Sequence, residues 1–326
     1  MKAREPFRPI VFFLLALAVS ASAPASAGYT LGRPLAFDLE IAVSIKNRGT
    51  RARAIRIKLP VPAEQGLPAY ENVTAGSKST GQARVALDGR GQAAISLDSL
   101  EASESLTISL RYHIETRPIT HRLPWFQRRE WPELPDPVKK FLVPSPGIES
   151  DSAEIAALAH EAVGRRRDPV FQAKALYAAT NRALTYDPDA GIASAREALK
   201  YRRARCEGYA RLYAALCRAV GIPARLVYGL RLGREQLAAE ELSDPVGHVW
   251  NEVYLAGPGW VPVDPTFVYT VDGRHEITYD FFARLGWNRD VHLFLGYSDQ
   301  TVSWTYRVRR GHPGVAVERH LRLRRR

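Results

Sequence analysis

Three side chains in this sequence have the types and the spacing of a nucleophilic site: Cys206, His248 and Asp264. Cys206 heads a run in which Tyr209, Ala210, Tyr213, Leu216, Cys217 and Val220 recur at intervals of three and four, which predicts an amphipathic helix with one buried stripe. Gly221 and Pro223 close that helix, and Leu226, Val227 and Tyr228 open a strand. A cysteine in the first turn faces unpaired backbone N–H groups and the positive end of the peptide dipoles, which favours thiolate over thiol. The thiolate is the attacking species. The competing reading, a small buried hydrophobe, is the commoner fate of a free cysteine, so the residues downstream carry the choice.

Those residues form a hairpin. Gly247-His248-Val249-Trp250-Asn251-Glu252-Val253-Tyr254 reads as a strand, and Gly259-Trp260-Val261-Pro262-Val263-Asp264-Pro265 as its partner across a turn at Gly257 and Pro258. Whether residues 248 and 264 are directly opposed or diagonal after a two-residue slip, they share one face, with Cβ atoms roughly 5–8 Å apart. A carboxylate beside an imidazole fixes its tautomer and supports the imidazolium, and an imidazolium beside a thiol favours the anionic sulfur. The set therefore has triad logic, with Cys206 as nucleophile, His248 as base and Asp264 as orienting carboxylate.

The same blocks resemble the transglutaminase-like superfamily of papain-related thiol enzymes. The matching text is Cys206-Glu207-Gly208-Tyr209-Ala210 with Gly221-Ile222-Pro223-Ala224-Arg225, then His248 to Tyr254, then Gly259 to Thr266. The resemblance covers about residues 150–267, and the β-rich segment before it is similar to those of exported bacterial members. It implies a papain-like α+β core and acyl transfer from amides or esters through a thioester on Cys206. Peptide or protein substrates follow from it, cell-wall peptide among them. Ala204 departs from the family pattern, which often has glycine two positions before the cysteine. For the upstream side chain that helps hold the oxyanion in relatives, Tyr177, Asn181, Tyr186 and Tyr201 are candidates beside the backbone N–H of Cys206.

The elements around these blocks set the fold class. From about residue 34 to 116 the pattern has period two, as in Phe37, Leu39, Ile41, Val43 and Ile45, with turns at Asn47-Arg48-Gly49 and Asp88-Gly89-Arg90-Gly91. Short strands with one apolar face need a second sheet, so residues 28–116 are expected to form an immunoglobulin-like β-sandwich. Residues 117–150, rich in proline and aromatics, form a connector expected to pack along the seam; Trp125 and Trp131 belong there. Residues 151–326 are expected to form the α+β domain. Its helices start at 151–152, 169 and 193 before the central one, and its strands cover 226–232, 246–255, 260–263 and 301–308.

The bulk numbers bound the rest. With 326 residues, 46% apolar and 25% charged, the chain has room for two ordinary soluble domains. Lys2, Arg4 and Arg8 precede an apolar run at 10–19 and a small-residue stretch ending at Ala27, which reads as a secretory signal over residues 1–27 and a periplasmic or secreted mature chain. Removing it, with Glu5, would lower the net charge from +12 to +10. Outside the cytoplasm that charge points away from nucleic acid and toward an anionic envelope surface as a further partner. Cys206 and Cys217, eleven positions apart on one helix, lie roughly 16 Å from each other, too far for a disulfide. The sequence lacks metal-ligand spacing and phosphate loops, so no cofactor and no metal is expected. Protease, amidase, glycoprotein deglycosylase and cross-linking activities stay open, as does oligomeric state. A non-catalytic cell-envelope binding module that keeps the fold is the alternative.

Overall fold

Alternation along Leu35–Asn47 buries Phe37, Leu39, Ile41, Val43 and Ile45 on one face, and this strand is the middle of a five-stranded sheet. In that sheet Glu241–Ser243, Val315–Arg325, Leu35–Asn47, Ser105–Thr116 and Glu71–Ser79 lie side by side. A four-stranded sheet in the order Ser303–Val308, Ala52–Pro60, Gln92–Leu100 and Arg84–Leu87 supplies the facing layer. Ile55, Ile57, Ile95 and Leu97 from it meet Ile41, Val43, Leu110 and Ile114 in one core. The computed structural model describes residues 28–123, 133–191, 194–266, 269–271, 274–286, 290–297, 303–308 and 314–326. The expected signal segment 1–27, Trp125 and Trp131 lie outside the described residues.

One boundary changes. The sequence pattern puts residues 301–308 in the C-terminal α+β unit, whereas Ser303–Val308 pairs with Ala52–Pro60, and Val315–Arg325 runs antiparallel to Leu35–Asn47 from end to end. Val315, Leu321 and Leu323 fill the sandwich core. The end of the chain therefore returns to both layers of the sandwich, and residues 151–326 are not one self-contained unit. Period two identifies a strand and its apolar face but carries no information about which strand it pairs with.

The second core is built on Cys206–Ala219. Helices Ala153–Val163, Pro169–Ala183 and Ala195–Tyr201 and a four-stranded antiparallel sheet enclose it. The sheet order is Gly259–Val263, Gly247–Leu255, Ala224–Leu232, Val291–Gly296. This enclosure corrects the expectation of a single buried stripe, since every residue from Gly208 to Arg218 is buried. Arg211 and Arg218, which lie off that stripe, are covered by the connector. Arg211 donates to Pro146 O at 3.0 Å and pairs with Glu207, and Arg218 donates to Val143 O, Ser145 Oγ and Ala224 O at 2.8–2.9 Å.

The helix ends where Gly221 and Pro223 predict. Gly221 sits at φ +82°, with its N–H on Arg218 O at 3.0 Å and that of Ile222 on Cys217 O at 2.9 Å. That is the paired-bond Schellman stop, which glycine adopts without a Cβ clash. Among the described residues no helix is long and apolar enough to cross a membrane.

Candidate active site

Asn251 ties the hairpin to the helix: its Nδ2 donates to Ala210 O at 2.9 Å across a buried interface. The hairpin takes the slipped register, with Asn251 opposite Val263 and Leu255 opposite Gly259, so His248 and Asp264 are diagonal. Trp250 stacks against His248 with ring centroids 6.0 Å apart and 21° between planes. Gly229, opposite His248 on the next strand, makes room for that stack. A methyl group there would lie 2.0 Å from Leu293 O and 2.6 Å from the Trp250 ring.

The three predicted side chains come together. His248 Nε2 and Asp264 Oδ2 are 2.7 Å apart, and Cys206 is near enough for its charge to act on the His248 ring. With Nε2 committed to the carboxylate, Nδ1 is the ring nitrogen left for the sulfur. Cys206 is half-buried at the first position of its helix, whereas His248 and Asp264 are buried, Asp264 completely. Burial is the largest influence on His248 and opposes its charge. The charge and bond of Asp264, with the Cys206 contact adding, outweigh it and raise the imidazole to about 9. Burial likewise opposes the Asp264 charge, yet the charge and bond of His248, followed by the bond from His292, hold this carboxyl far below the usual carboxylate range.

Cys217 contrasts with Cys206. Both are free, but Cys217 is fully buried in mid-helix, and burial pushes its thiol far above the ordinary range.

Sequence reasoning missed His292. Its Nε2 lies 3.1 Å from the same Asp264 Oδ2, so the carboxylate serves two imidazoles, while Asp264 Oδ1 accepts the Thr266 N–H at 3.1 Å. The available signal was one histidine within the apolar run Val291-His292-Leu293-Phe294-Leu295, a pattern of a buried strand with a single polar side chain. His248, Asp264 and His292 also offer three metal-ligating atoms within 4.8 Å of one another. Both imidazole nitrogens sit at hydrogen-bond distance from the same carboxylate oxygen.

Of the four upstream candidates, Tyr177 and Asn181 are buried in Pro169–Ala183, and Asn181 Nδ2 donates to Tyr177 O at 2.9 Å. Tyr201 is exposed at the end of its helix. Tyr186 lies in the short strand beside Arg203–Ala204, and its hydroxyl pKa is raised by burial first and the charge of Cys206 second. Ala204, the departure from the family pattern, is fully buried in that pairing.

Residues 156–265 match the model of the transglutaminase-like superfamily. The kyphoscoliosis peptidase of Homo sapiens is 32% identical over 88 residues, which are 26% of this chain and 13% of that protein. The peptide-N(4)-(N-acetyl-beta-glucosaminyl)asparagine amidase of Drosophila melanogaster is 31% identical over 109 residues, 32% of this chain and 14% of the relative. Each match thus spans about one seventh of the relative's length. A candidate cysteine protease from Cytophaga hutchinsonii shares the fold across 89% of this chain and 92% of its own, at a TM-score of 0.58 and 16% identity. Residues 156–265, which hold the thiol, the imidazole and the carboxylate, form a domain of the transglutaminase-like superfamily.

Proposed function

We propose that this chain is an exported thiol enzyme that acts on carboxamide or peptide bonds, with Cys206 as nucleophile, His248 as acid–base and Asp264 as its orienting carboxylate. The observation that carries the reading is the buried 2.7 Å bond between His248 and Asp264, with the half-buried Cys206 at its helix start near enough for its charge to act on that imidazole. The superfamily includes peptidases, amidases and transglutaminases, and peptide or protein substrates suit all three.

The chemistry follows from the charges. The thiolate attacks the carbonyl carbon, a C–S bond forms, and the C=O π pair moves to oxygen. The backbone N–H of Cys206 and the Tyr186 hydroxyl are the donors proposed for that oxygen. Collapse breaks the C–N bond as the amine takes the His248 proton, leaving a thioester. His248, now neutral, removes a proton from water; the hydroxide adds to the thioester, and breaking the C–S bond restores the thiolate. Water is the expected acceptor, because amine transfer requires a site that excludes water and positions an amine.

The net basic charge gives less support to an anionic envelope partner. On the outer face of the sandwich, Arg111 pairs with Glu40 at 3.6 Å, Arg322 with Glu241 at 3.2 Å and Arg326 with Asp38 at 2.7 Å. Arginines already paired with carboxylates present a weak electrostatic target.

A panel of glutamine-containing peptides, incubated with and without a labelled primary amine, separates the reactions. Amide hydrolysis releases ammonia without incorporating the amine; cross-linking incorporates it; proteolysis cuts the backbone. We expect hydrolysis at side-chain amide or backbone and no incorporation. Failure of every peptide, together with an unreactive Cys206, would contradict the enzyme reading and favour the binding module.

A further inference from the structure

We propose that His292 is a positioning residue for the His248–Asp264 pair, and that the β-sandwich acts on the site through it. This deepens the reading above, since it concerns how the same acid–base pair is held.

The first observation is the division of one carboxylate. Asp264 Oδ2 takes His248 Nε2 at 2.7 Å and His292 Nε2 at 3.1 Å, and Oδ1 takes the Thr266 N–H at 3.1 Å. Three donors from three chain segments fix the plane of a carboxylate that would otherwise rotate about its Cβ–Cγ bond. Among the described residues His292 Nδ1 is buried without a hydrogen-bond partner. Burying an imidazole is costly unless its polar atoms are satisfied, and here the one satisfied atom is the one on Asp264. The ring is also held by aromatic neighbours, edge-on to Trp250 at 5.2 Å and near His248 and Phe281 at 5.7 and 6.2 Å.

The second observation is the strand that carries it. Val291–Gly296 is the edge of the four-stranded sheet, yet Val291 and Leu293 pack in the sandwich core with Phe37, Leu39 and Ile114, while His292 between them points to Asp264. The sandwich grips the strand backbone as well. Thr116 Oγ1 donates to His292 O at 3.1 Å, and Ala63 N donates to Leu295 O at 3.0 Å. Alternate side chains of a strand face opposite ways, so a residue seated in one core fixes its neighbour against the other. The sandwich thereby sets where His292 Nε2 sits.

The charged and titratable groups around the ring are Asp264, His248 and Arg231, with Arg231 itself paired to Asp290. Burial first, then the charges of His248 and Arg231, keep His292 neutral against the pull of Asp264. A neutral ring beside an ionised carboxylate must carry its proton on Nε2 and donate it. That donation stabilises the carboxylate and so moderates its hold on the His248 proton. His292→Leu removes the donor, whereas His292→Gln places an N–H at about the same reach.

The experiment follows the His248 ring by ¹⁵N NMR titration and, alongside, kcat and KM on the best peptide, in the full-length wild type, His292→Leu, His292→Gln and Thr116→Val. We expect His248 to titrate at higher pH in His292→Leu, with kcat down by about 10- to 100-fold and KM little changed. His292→Gln should return both toward wild type, and Thr116→Val should shift them in the Leu direction by less. A folded His292→Leu whose His248 titrates as in wild type overturns the proposal, as does a Gln variant no better than Leu. The titration needs no turnover, so a wild type that cleaves nothing would refute the enzymatic reading while leaving this test intact.

Discussion

Cys206→Ala is expected to lower amide turnover by about 10⁴- to 10⁶-fold, the scale on which removal of a triad nucleophile acts. The residue heads the helix and is half-buried, and alanine suits a helical turn, so thermal unfolding should stay close to wild type. Folding and activity therefore separate at this position. Cys217→Ala gives the opposite pattern: its side chain is fully buried in the core, so the loss appears in the melting temperature, with turnover per folded molecule kept. Equal activity losses at the two cysteines would mean that Cys206 acts through packing alone.

Asp264→Asn is the second large effect. Asparagine keeps the volume but presents an N–H₂ group where His248 Nε2–H needs an acceptor, so the ring loses its tautomer and its counter-charge. The equivalent change in a serine triad costs about 10⁴-fold in kcat, and a similar loss is expected here. The pH profile should change with it. In wild type His248 holds its proton to about pH 9, which places the alkaline limb of kcat there. Without the Asp264 charge, burial is left as the dominant influence, and the imidazole should lose its proton below its ordinary value of 6.5.

Stability should respond in the same windows. His248 has a folded pKa above its unfolded one, so its ion pair contributes fully below pH 6.5 and the contribution is lost as pH rises through about 9. Asp264 has a depressed pKa, so its contribution is present above the unfolded carboxylate value and disappears only as pH falls through the folded one. Wild type should therefore lose stability between pH 6.5 and 9 relative to Asp264→Asn. Thermal melts across that range would reveal a constant difference if the pair were not formed.

Much of the site was legible because its parts are local. The helix start at Cys206, the stop at Gly221 and the shared face of residues 248 and 264 each depend on a few neighbouring residues, and all three match the structure. In the sandwich, Phe37 to Ile45 likewise declare a strand by alternation alone. What stayed hidden depends on partners distant in sequence. Leu321 and Leu323 alternate with Arg322 and Arg324, yet nothing local says that they lie against Leu39 and Ile41. Glu71–Ser79 has so few apolar residues that its pairing with Ser105–Thr116 supplies the order its sequence lacks.

The central helix shows the same limit: Arg211 and Arg218 lie off the apolar stripe, yet both are buried and donate to backbone carbonyls of residues 146 and 143. His292 was hidden twice, by an unassigned strand and by a partner 28 residues away. Spacing can propose a nucleophile and its base; it does not reveal what braces them from another layer.

The most direct test of the central claim is the rate of iodoacetamide alkylation against pH, with the adduct located by peptide mass mapping. An imidazolium beside the sulfur keeps it reactive in acid, so we predict rapid carbamidomethylation of Cys206 at pH 6, none at Cys217, and loss of the acid reactivity in His248→Ala. Alkylation that sets in only above about pH 8, at the same rate with and without His248, would contradict the account.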